Sequence, residues 1–148
     1  MPDDTREKIR STVDLAKFYN PDLAFFLAIA PWPYSEIYPL LEPHVEVFDY
    51  SKYNLVEPVV KPKEMTLAEV RKELGLASKN FFMDKLKNLD KMTPEKQEFM
   101  RKVIGIIATN SYLAEHMQGE MPEEMKKLLE KNRIRYYAPI LWDTGLLP

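Results

Sequence analysis

The sequence contains no cysteine, and this absence excludes several kinds of site at once. Disulfides, thiolate zinc sites, cysteine nucleophiles and iron–sulfur clusters all require that side chain. Glycine is also scarce, at 4 of 148 residues, so the glycine-rich loops that cradle phosphates are absent. The net charge is only -2, which provides no positive field to hold nucleic acid or an anionic membrane surface.

Long hydrophobic runs are missing too, apart from one stretch. That stretch is far shorter than the roughly 20 residues needed to span a bilayer, and no secretion signal is visible, so we expect a cytoplasmic protein. Hydrophobic residues make up 45% of the chain and charged residues 30%, which is ordinary for a globular protein. The length suits one domain, or one and a fraction.

The one apolar run, residues 23–30, reads LAFFLAIA. It follows a turn signal at Asn20-Pro21-Asp22 and stops at Pro31 and Pro33. Because it does not alternate with polar residues, both of its faces favour burial, as in a parallel strand covered on both sides. A buried helical segment is the alternative, but the length and the flanking residues favour a strand.

Such a strand needs hydrogen-bonded neighbours, and no second run of comparable quality exists in the chain. The residues before it predict a helix that ends at Tyr19, with Asp4 and Glu7 at N-cap and N3 spacing and Asn20 as its left-handed cap. Helix, turn and strand form half of a right-handed crossover unit, so we expect the first strand to lie upstream of Met1. An open strand edge, or the apolar C-terminal tail, predicts a homodimer or larger oligomer.

The rest of the chain is predicted to be helical around one long connection, residues 44–62, which includes a short second strand over residues 45–49. The predicted helices begin at Ser, Thr or Pro start signals and cover residues 35–41, 66–75, a segment from 78, 93–119 and a segment from 122. The helix from 93 has Phe99, Val103 and Ile106 or Ile107 on its predicted apolar stripe. The predicted fold class is therefore mainly α with one or two strands.

Three motifs occur in order around the first helix and the apolar run: Pro2-Asp3-Asp4-Thr5, Pro21-Asp22 and Pro31-Trp32-Pro33-Tyr34-Ser35. This order resembles the late part of the barrel in radical S-adenosylmethionine enzymes, an iron–sulfur oxidoreductase superfamily. The P-W-P-Y form, with VFDYSKYNLVEPVVKP after it, is most similar to the cobalamin-binding branch, which includes the anaerobic magnesium-protoporphyrin IX monomethyl ester cyclases. The sequence departs from the family pattern in three ways: Tyr34-Ser35 replaces Gly-Thr, the C-x3-C-x2-C motif is absent, and so is a cobalamin domain.

The resemblance implies that residues 1–62 are a late-barrel segment with an extended connection, and that residues 63–148 are a helical C-terminal extension. The chain would be the C-terminal end of a (β/α) barrel protein, either as a truncated gene product or as an excised piece. The parent enzyme would use a 4Fe-4S cluster and S-adenosylmethionine, with the use of cobalamin left open. This chain holds no cofactor and is expected to be inactive alone, because the cluster requires thiolates.

The resemblance also implies candidate site residues, since barrel chemistry lies at the C-terminal ends of strands. The expected substrate- or cofactor-facing residues are Pro31, Trp32, Pro33 and Tyr34, with Asp4 and Thr5 on the same rim. Structural alternatives are that Trp32 packs under the following helix and that Asp4 and Thr5 only cap a helix.

Two other functions stay open at this stage. One is a stand-alone helical module whose apolar strand edge and tail bind a partner chain. The other is a small-molecule binding domain that uses Trp32, Tyr50, Tyr53 and Trp142. No catalytic residue and no metal site are predicted, because His44 and His116 are far apart and lack ligand spacing.

Overall fold

The computed structural model of this protein describes residues 1–109 and 123–134. The chain divides into two compact units, Met1–Ser78 and Lys79–Pro148. The described residues are mainly helical and contain no sheet, which confirms the predicted helical class. None of the helices in these two ranges is both long enough and apolar enough to cross a membrane.

Helix α1 spans Arg6–Tyr19. Its N-cap is Thr5, whose side-chain oxygen accepts a hydrogen bond from the Lys8 N–H at 3.2 Å. The prediction of Asp4 as N-cap is wrong, because Asp4 pairs with the N-terminal amine while Thr5 has the extended backbone that a cap requires. The C-terminal cap is confirmed: Asn20 is left-handed, with φ 52° and ψ 43°.

The apolar run, residues 23–30, forms neither a helix nor a strand ladder. The Ala28 N–H donates to the Leu55 carbonyl at 2.8 Å. Ala28 is buried, but Phe25 is 74% exposed and Leu27 is 51% exposed. The prediction of a strand buried on both faces is therefore wrong for this chain, because the described residues supply no neighbouring strand on the open side.

Helix α2 is a single turn, Tyr38–Leu41, followed by a 3-10 turn, Glu42–His44. The expected start at Ser35 is wrong by two residues. The Ser35 hydroxyl donates to the Trp32 carbonyl at 2.6 Å and so closes a turn instead of capping the helix.

The connection, residues 44–62, folds back on itself. Val45 and Val60 form an isolated antiparallel bridge, and the Lys61 N–H donates to the His44 carbonyl at 2.8 Å. The second strand predicted over residues 45–49 is reduced to this bridge. Five buried side chains form the core here: Leu41, Val45, Tyr53, Val59 and Val60.

Helix α3 spans Leu67–Lys87 and runs across the boundary between the two units. The predicted capping box is confirmed, since the Thr66 N–H donates to the Glu69 carboxylate at 2.8 Å and the Glu69 N–H donates to the Thr66 hydroxyl at 3.3 Å. The predicted end at Gly75 is wrong. A helical glycine costs only about 1 kcal/mol relative to alanine, and no proline follows it to stop the helix.

Ion pairs join α1 to the first half of α3. The Glu73 carboxylate is 9% exposed and lies 3.6 Å from Arg6 Nε and 3.7 Å from Arg10 Nη2. Arg6 also pairs with Glu69. A carboxylate this buried requires such partners, so these pairs fix α1 against α3 within the first unit.

The second unit contains α4, Pro94–Thr109, and α5, Glu123–Lys131. Its core consists of side chains from α3, α4, α5 and the turns between and after them: Phe81, Phe82, Leu86, Leu89, Met100, Ile104, Leu129 and Ile134. The predicted stripe on α4 is wrong by one position, because Met100 and Ile104 are buried whereas Phe99 and Ile106 are exposed. The predicted end at Gly119, the start at Pro122 and the tail from residue 135 lie outside the described residues.

Candidate functional site

A tight turn follows the apolar run at the predicted rim. Pro31 is fully buried, and the Ser35 N–H donates to the Trp32 carbonyl at 2.9 Å. Pro33 occupies the second position of this turn, where its fixed φ is favourable. In the described ranges, positive φ outside glycine occurs only at Asn20, Leu55 and Arg133. Tyr34 therefore fits this turn without the glycine of the family pattern.

A second turn faces it from the connection. The 3-10 turn Tyr50–Lys52 is capped by Asp49, whose carboxylate accepts from the Ser51 N–H at 3.0 Å and the Ser51 hydroxyl at 2.7 Å. These two hydrogen bonds lower the pKa of Asp49. In a 3-10 turn, side chains three residues apart lie above one another. Tyr50 and Tyr53 are spaced in this way, and their ring centroids are 5.1 Å apart.

The two turns bring four aromatic rings together, which we call the ring cluster: Trp32, Tyr34, Tyr50 and Tyr53. Trp32 lies 5.7 Å from Tyr53 and 6.3 Å from Tyr34, between ring centroids. The Trp32 and Tyr34 rings are nearly parallel, at 14°. Tyr53 is buried at the base, while Tyr34 is 86% exposed and Tyr50 is 54% exposed. The cluster therefore presents an open aromatic surface on a packed base.

A residue with positive φ links the apolar run to the segment that follows the second turn. Leu55 has φ 68°, which is unusual for a residue with a branched aliphatic side chain. The Asn54 side-chain oxygen accepts from the N–H groups of Val56 and Glu57 at 3.0 and 2.9 Å and so holds this conformation. The Leu55 carbonyl then accepts from the Ala28 N–H. This bond ties the apolar run, and with it Trp32, to the segment that carries Tyr53.

The Tyr53 hydroxyl is the polar atom at the base of the cluster. It is buried, and it has no hydrogen-bond partner within the described part of the chain. Burial, followed by the nearby Tyr50, raises the pKa of Tyr53. Partial burial, then Glu42, Tyr50 and Tyr53, also raise the pKa of Tyr38.

A separate cavity of about 280 Å³ lies along the apolar run in the first unit. Residues 27–29 line it together with Ile9 of α1, Val70 of α3 and Asp4. The lining is otherwise mainly aliphatic, so the Asp4 carboxylate is the polar group on one wall. Its partner is the N-terminal amine.

The structure therefore places the predicted site residues at two different positions. Trp32 and Tyr34 join the ring cluster, and the preceding Pro31 is buried. Asp4 lines the cavity beside residues 27–29, and Thr5 caps α1. Of the other aromatic residues in the small-molecule hypothesis, Tyr53 contacts Trp32 and Tyr50 contacts Tyr53, while Trp142 lies outside the described residues.

The donor groups of this chain do not fit an iron–sulfur cluster. Such clusters are held by cysteine thiolates, and the sequence contains none. Across residues 1–109 and 123–134, no group of three or more His, Cys, Asp or Glu side chains could hold a metal ion. The chemistry available at the ring cluster is therefore stacking and hydrogen bonding by phenol and indole groups.

Known proteins resemble this chain over slightly more than half of its length. An anaerobic magnesium-protoporphyrin IX monomethyl ester cyclase from Rubrivivax gelatinosus is 36% identical over 85 residues, which are 57% of this chain and 15% of that protein. This chain is homologous to part of that cyclase. The cyclase of the same description from Cereibacter sphaeroides is 38% identical over 85 residues, 57% of this chain and 14% of that protein. The resemblance inferred from the motifs is confirmed.

A third relative is an uncharacterized methyltransferase from Pyrococcus horikoshii, 30% identical over 84 residues, 55% of this chain and 18% of that protein. The chain thus spans less than a fifth of the length of any of these curated relatives. No protein-family model matches the chain. No solved structure matches it either.

Proposed function

We propose that this chain acts as the C-terminal portion of a radical S-adenosylmethionine protein related to the anaerobic magnesium-protoporphyrin IX monomethyl ester cyclases. The observation that carries the proposal is the apolar run, residues 23–30. It is apolar throughout and lies outside any helix, yet Leu23, Phe25 and Leu27 remain exposed. A run of this kind is stable next to hydrogen-bonded strands that cover it, and a barrel supplies such strands.

In this arrangement residues 1–62 close the barrel and residues 63–148 form a helical extension. The turn at Pro31–Tyr34 lies where the chemistry of a parallel barrel is located, at the C-terminal end of a strand. Asp4 and Thr5 would follow the preceding strand on the same rim. The 4Fe-4S cluster and S-adenosylmethionine belong to other parts of the enzyme, and the chain alone has no activity. Those other parts of the enzyme also determine whether it uses cobalamin.

Complementation tests this proposal. The cyclase of Rubrivivax gelatinosus is produced without the 85-residue segment that matches this chain, and the chain is supplied either in trans or fused at the same point. We expect cyclase activity to return with the fused chain. A matched variant, Ala28→Asp, should abolish the rescue, because a buried carboxylate in the run prevents strand pairing.

The isolated chain provides the second half of the test. After anaerobic treatment with iron and sulfide, it should bind no cluster and should not cleave S-adenosylmethionine. Stoichiometric cluster binding by the isolated chain would disprove the proposal. So would failure of the fused chain to rescue the truncated cyclase when a fused copy of that cyclase's own segment succeeds.

A second candidate function is a helical interaction module, and the exposed apolar side chains of the first unit favour it. Phe18 is 80% exposed on α1, and Phe25 is 74% exposed on the apolar run. Exposed apolar patches and open backbone edges mark interaction sites. As such a module, the chain would pair with a second copy of itself through the apolar run, residues 23–30. Light scattering after size exclusion separates the two candidates, because a dimer that persists in the presence of the truncated cyclase favours the module.

A further inference from the structure

A groove of about 530 Å³ lies along α4 in the second unit. The chain that follows α5 packs directly on this part of α4, since a Cβ added to Gly105 would lie 3.7 Å from Ile134 Cγ2. Three side chains that line the groove are cationic, and a single one is a carboxylate: Arg101, Lys102 and Arg133, with Glu98. The groove therefore carries an excess of positive charge, although the whole chain has a net charge of -2.

The one carboxylate is paired with the lysine. Lys102 Nζ lies 3.1 Å from the Glu98 carboxylate. Arg101 Nη2 instead donates to the neutral side-chain oxygen of Gln97 at 3.1 Å. Within residues 1–109 and 123–134, neither Arg101 nor Arg133 forms an ion pair. Two guanidinium groups thus line one groove without a described carboxylate to balance them, which favours the entry of an anion.

The backbone of Arg133 is the second observation that points to a ligand. Helix α5 ends in a Schellman motif, in which the Ile134 N–H donates to the Leu129 carbonyl and the Arg133 N–H to the Glu130 carbonyl, both at 2.9 Å. The motif places Arg133 in the left-handed region, with φ 56°. Glycine is usual at this position, because a Cβ there approaches the following carbonyl oxygen. Strain of this kind is characteristic of residues that hold ligands.

The other local role for this arginine is already filled. A cation near the C-terminus of a helix interacts favourably with the helix dipole, and Lys131 supplies one in the last turn of α5. The chemistry of the groove therefore indicates its ligand. Guanidinium groups bind phosphate and carboxylate through paired hydrogen bonds. Ile106, which also lines the groove, is 65% exposed and offers an apolar surface beside them.

We propose that this groove binds an amphiphilic oxyanion, a phosphate or carboxylate group attached to an apolar chain. Arg101 and Arg133 hold the oxyanion, and the apolar chain lies against Ile106. The site goes beyond the proposed function and does not depend on it, because every residue of the groove belongs to the second unit. A soluble metabolite and a lipid headgroup share this chemistry, and the test distinguishes the two sources.

Isothermal titration calorimetry with the full chain measures the binding. The probes are octyl phosphate, inorganic phosphate and octyltrimethylammonium, all below micellar concentrations. We expect saturable binding of octyl phosphate that weakens as salt is added, binding of inorganic phosphate that is at least about tenfold weaker because it buries no apolar chain, and no binding of the cation. Flotation with phosphatidylcholine vesicles that contain phosphatidic acid then identifies the source. Co-flotation indicates a lipid headgroup, and its absence indicates a soluble ligand.

Three variants separate recognition from nonspecific charge attraction. Arg133→Gly removes the guanidinium and the strain together, so it should weaken octyl phosphate binding about tenfold, as the loss of a charge-assisted hydrogen bond does. The same variant should raise the urea midpoint, followed by far-ultraviolet circular dichroism. Lys127→Gln removes a charge from an exposed position of α5 outside the groove, and it should leave the affinity unchanged. Glu98→Gln should strengthen binding, because it removes the carboxylate of the groove.

The inference is wrong if octyl phosphate does not saturate, if octyltrimethylammonium or inorganic phosphate binds as tightly, or if Lys127→Gln weakens binding as much as Arg133→Gly. A lower urea midpoint for Arg133→Gly would also overturn it, because the arginine would then serve the end of α5. The complementation test does not bear on these outcomes. A chain that binds octyl phosphate without rescuing the cyclase keeps the groove and removes the barrel proposal, and the opposite pair of results does the reverse.

Discussion

Replacing Tyr53 with phenylalanine tests whether the base of the ring cluster carries an unsatisfied polar group. The Tyr53 hydroxyl is buried and has no hydrogen-bond partner in residues 1–109 and 123–134. The Tyr53→Phe variant keeps the ring, and with it the contacts to Trp32 and Tyr50 at 5.7 and 5.1 Å. It removes only the hydroxyl, so the packing of the core around Leu41 and Val59 should persist.

The magnitude follows from the cost of burying such a group. An unsatisfied buried hydroxyl costs about 1–3 kcal/mol because its hydrogen bond to water is lost and not replaced. Removing it should therefore raise the free energy of unfolding by about 1 kcal/mol, after allowance for a small void. With a urea m-value of about 1–3 kcal/mol/M, the unfolding midpoint should rise by roughly 0.3–1 M.

Urea unfolding followed by Trp32 fluorescence in the Trp142→Phe background provides the measurement, since this signal comes from the first unit. Tyr50→Phe is the matched control. Tyr50 is 54% exposed, so losing its hydroxyl should change stability by less than about 0.5 kcal/mol. If Tyr53→Phe instead lowers the free energy of unfolding by about 1 kcal/mol or more, the hydroxyl has a partner and the reasoning is refuted.

Four further outcomes are expected. Hydrogen bonds from the Thr66 N–H and hydroxyl, and then Arg6, lower the pKa of Glu69 below its ordinary 4.5. The native protein should therefore be more stable than the Glu69→Gln variant above pH 4.5, and this difference should disappear on acidification through the lowered pKa. Thermal melts of both proteins at several pH values measure it. Asn20→Ala should cost about 1–2 kcal/mol in urea unfolding because Asn20 is left-handed, whereas Asn20→Gly should be nearly neutral. Gly105→Ala should stabilise α4 by up to about 1 kcal/mol, since the new Cβ would lie 3.7 Å from Ile134, an ordinary contact; a loss of stability would reveal crowding. Phe25→Asp should shift any dimer towards monomer in light scattering with little change in melting temperature, because Phe25 is 74% exposed; an unchanged dimer would place the contact elsewhere.

Local sequence signals predicted the parts of the fold that local chemistry determines. Asn20 ends α1 because few residues other than glycine tolerate the left-handed region. Thr66 and Glu69 start α3 because their side chains satisfy free N–H groups reciprocally. The helical class followed from such signals. The single apolar run was also visible, and so was its lack of partners.

The errors came from choices that local patterns leave undecided. Gly75 weakens a helix without ending it, and α3 continues through it to Lys87. On α4, Phe99 and Met100 are both apolar, so the phase of the buried stripe depends on what the helix meets. The ring cluster was the least predictable part. The segment that carries Tyr53 includes Leu55, whose positive φ no sequence pattern indicates, although the tyrosine spacing at residues 50 and 53 was a usable signal.

The prolines around residues 23–30 bear on whether the newly synthesised chain aggregates. Segments of six or seven apolar residues without charge are the kind that seed amyloid fibrils, and this run is of that kind until its neighbours cover it. Pro21 on one side, and Pro31 and Pro33 on the other, cannot donate to an intermolecular ladder. They act as gatekeepers that keep the fibril-forming window short. Variants that replace these prolines should therefore lose yield to insoluble aggregates before they lose any function.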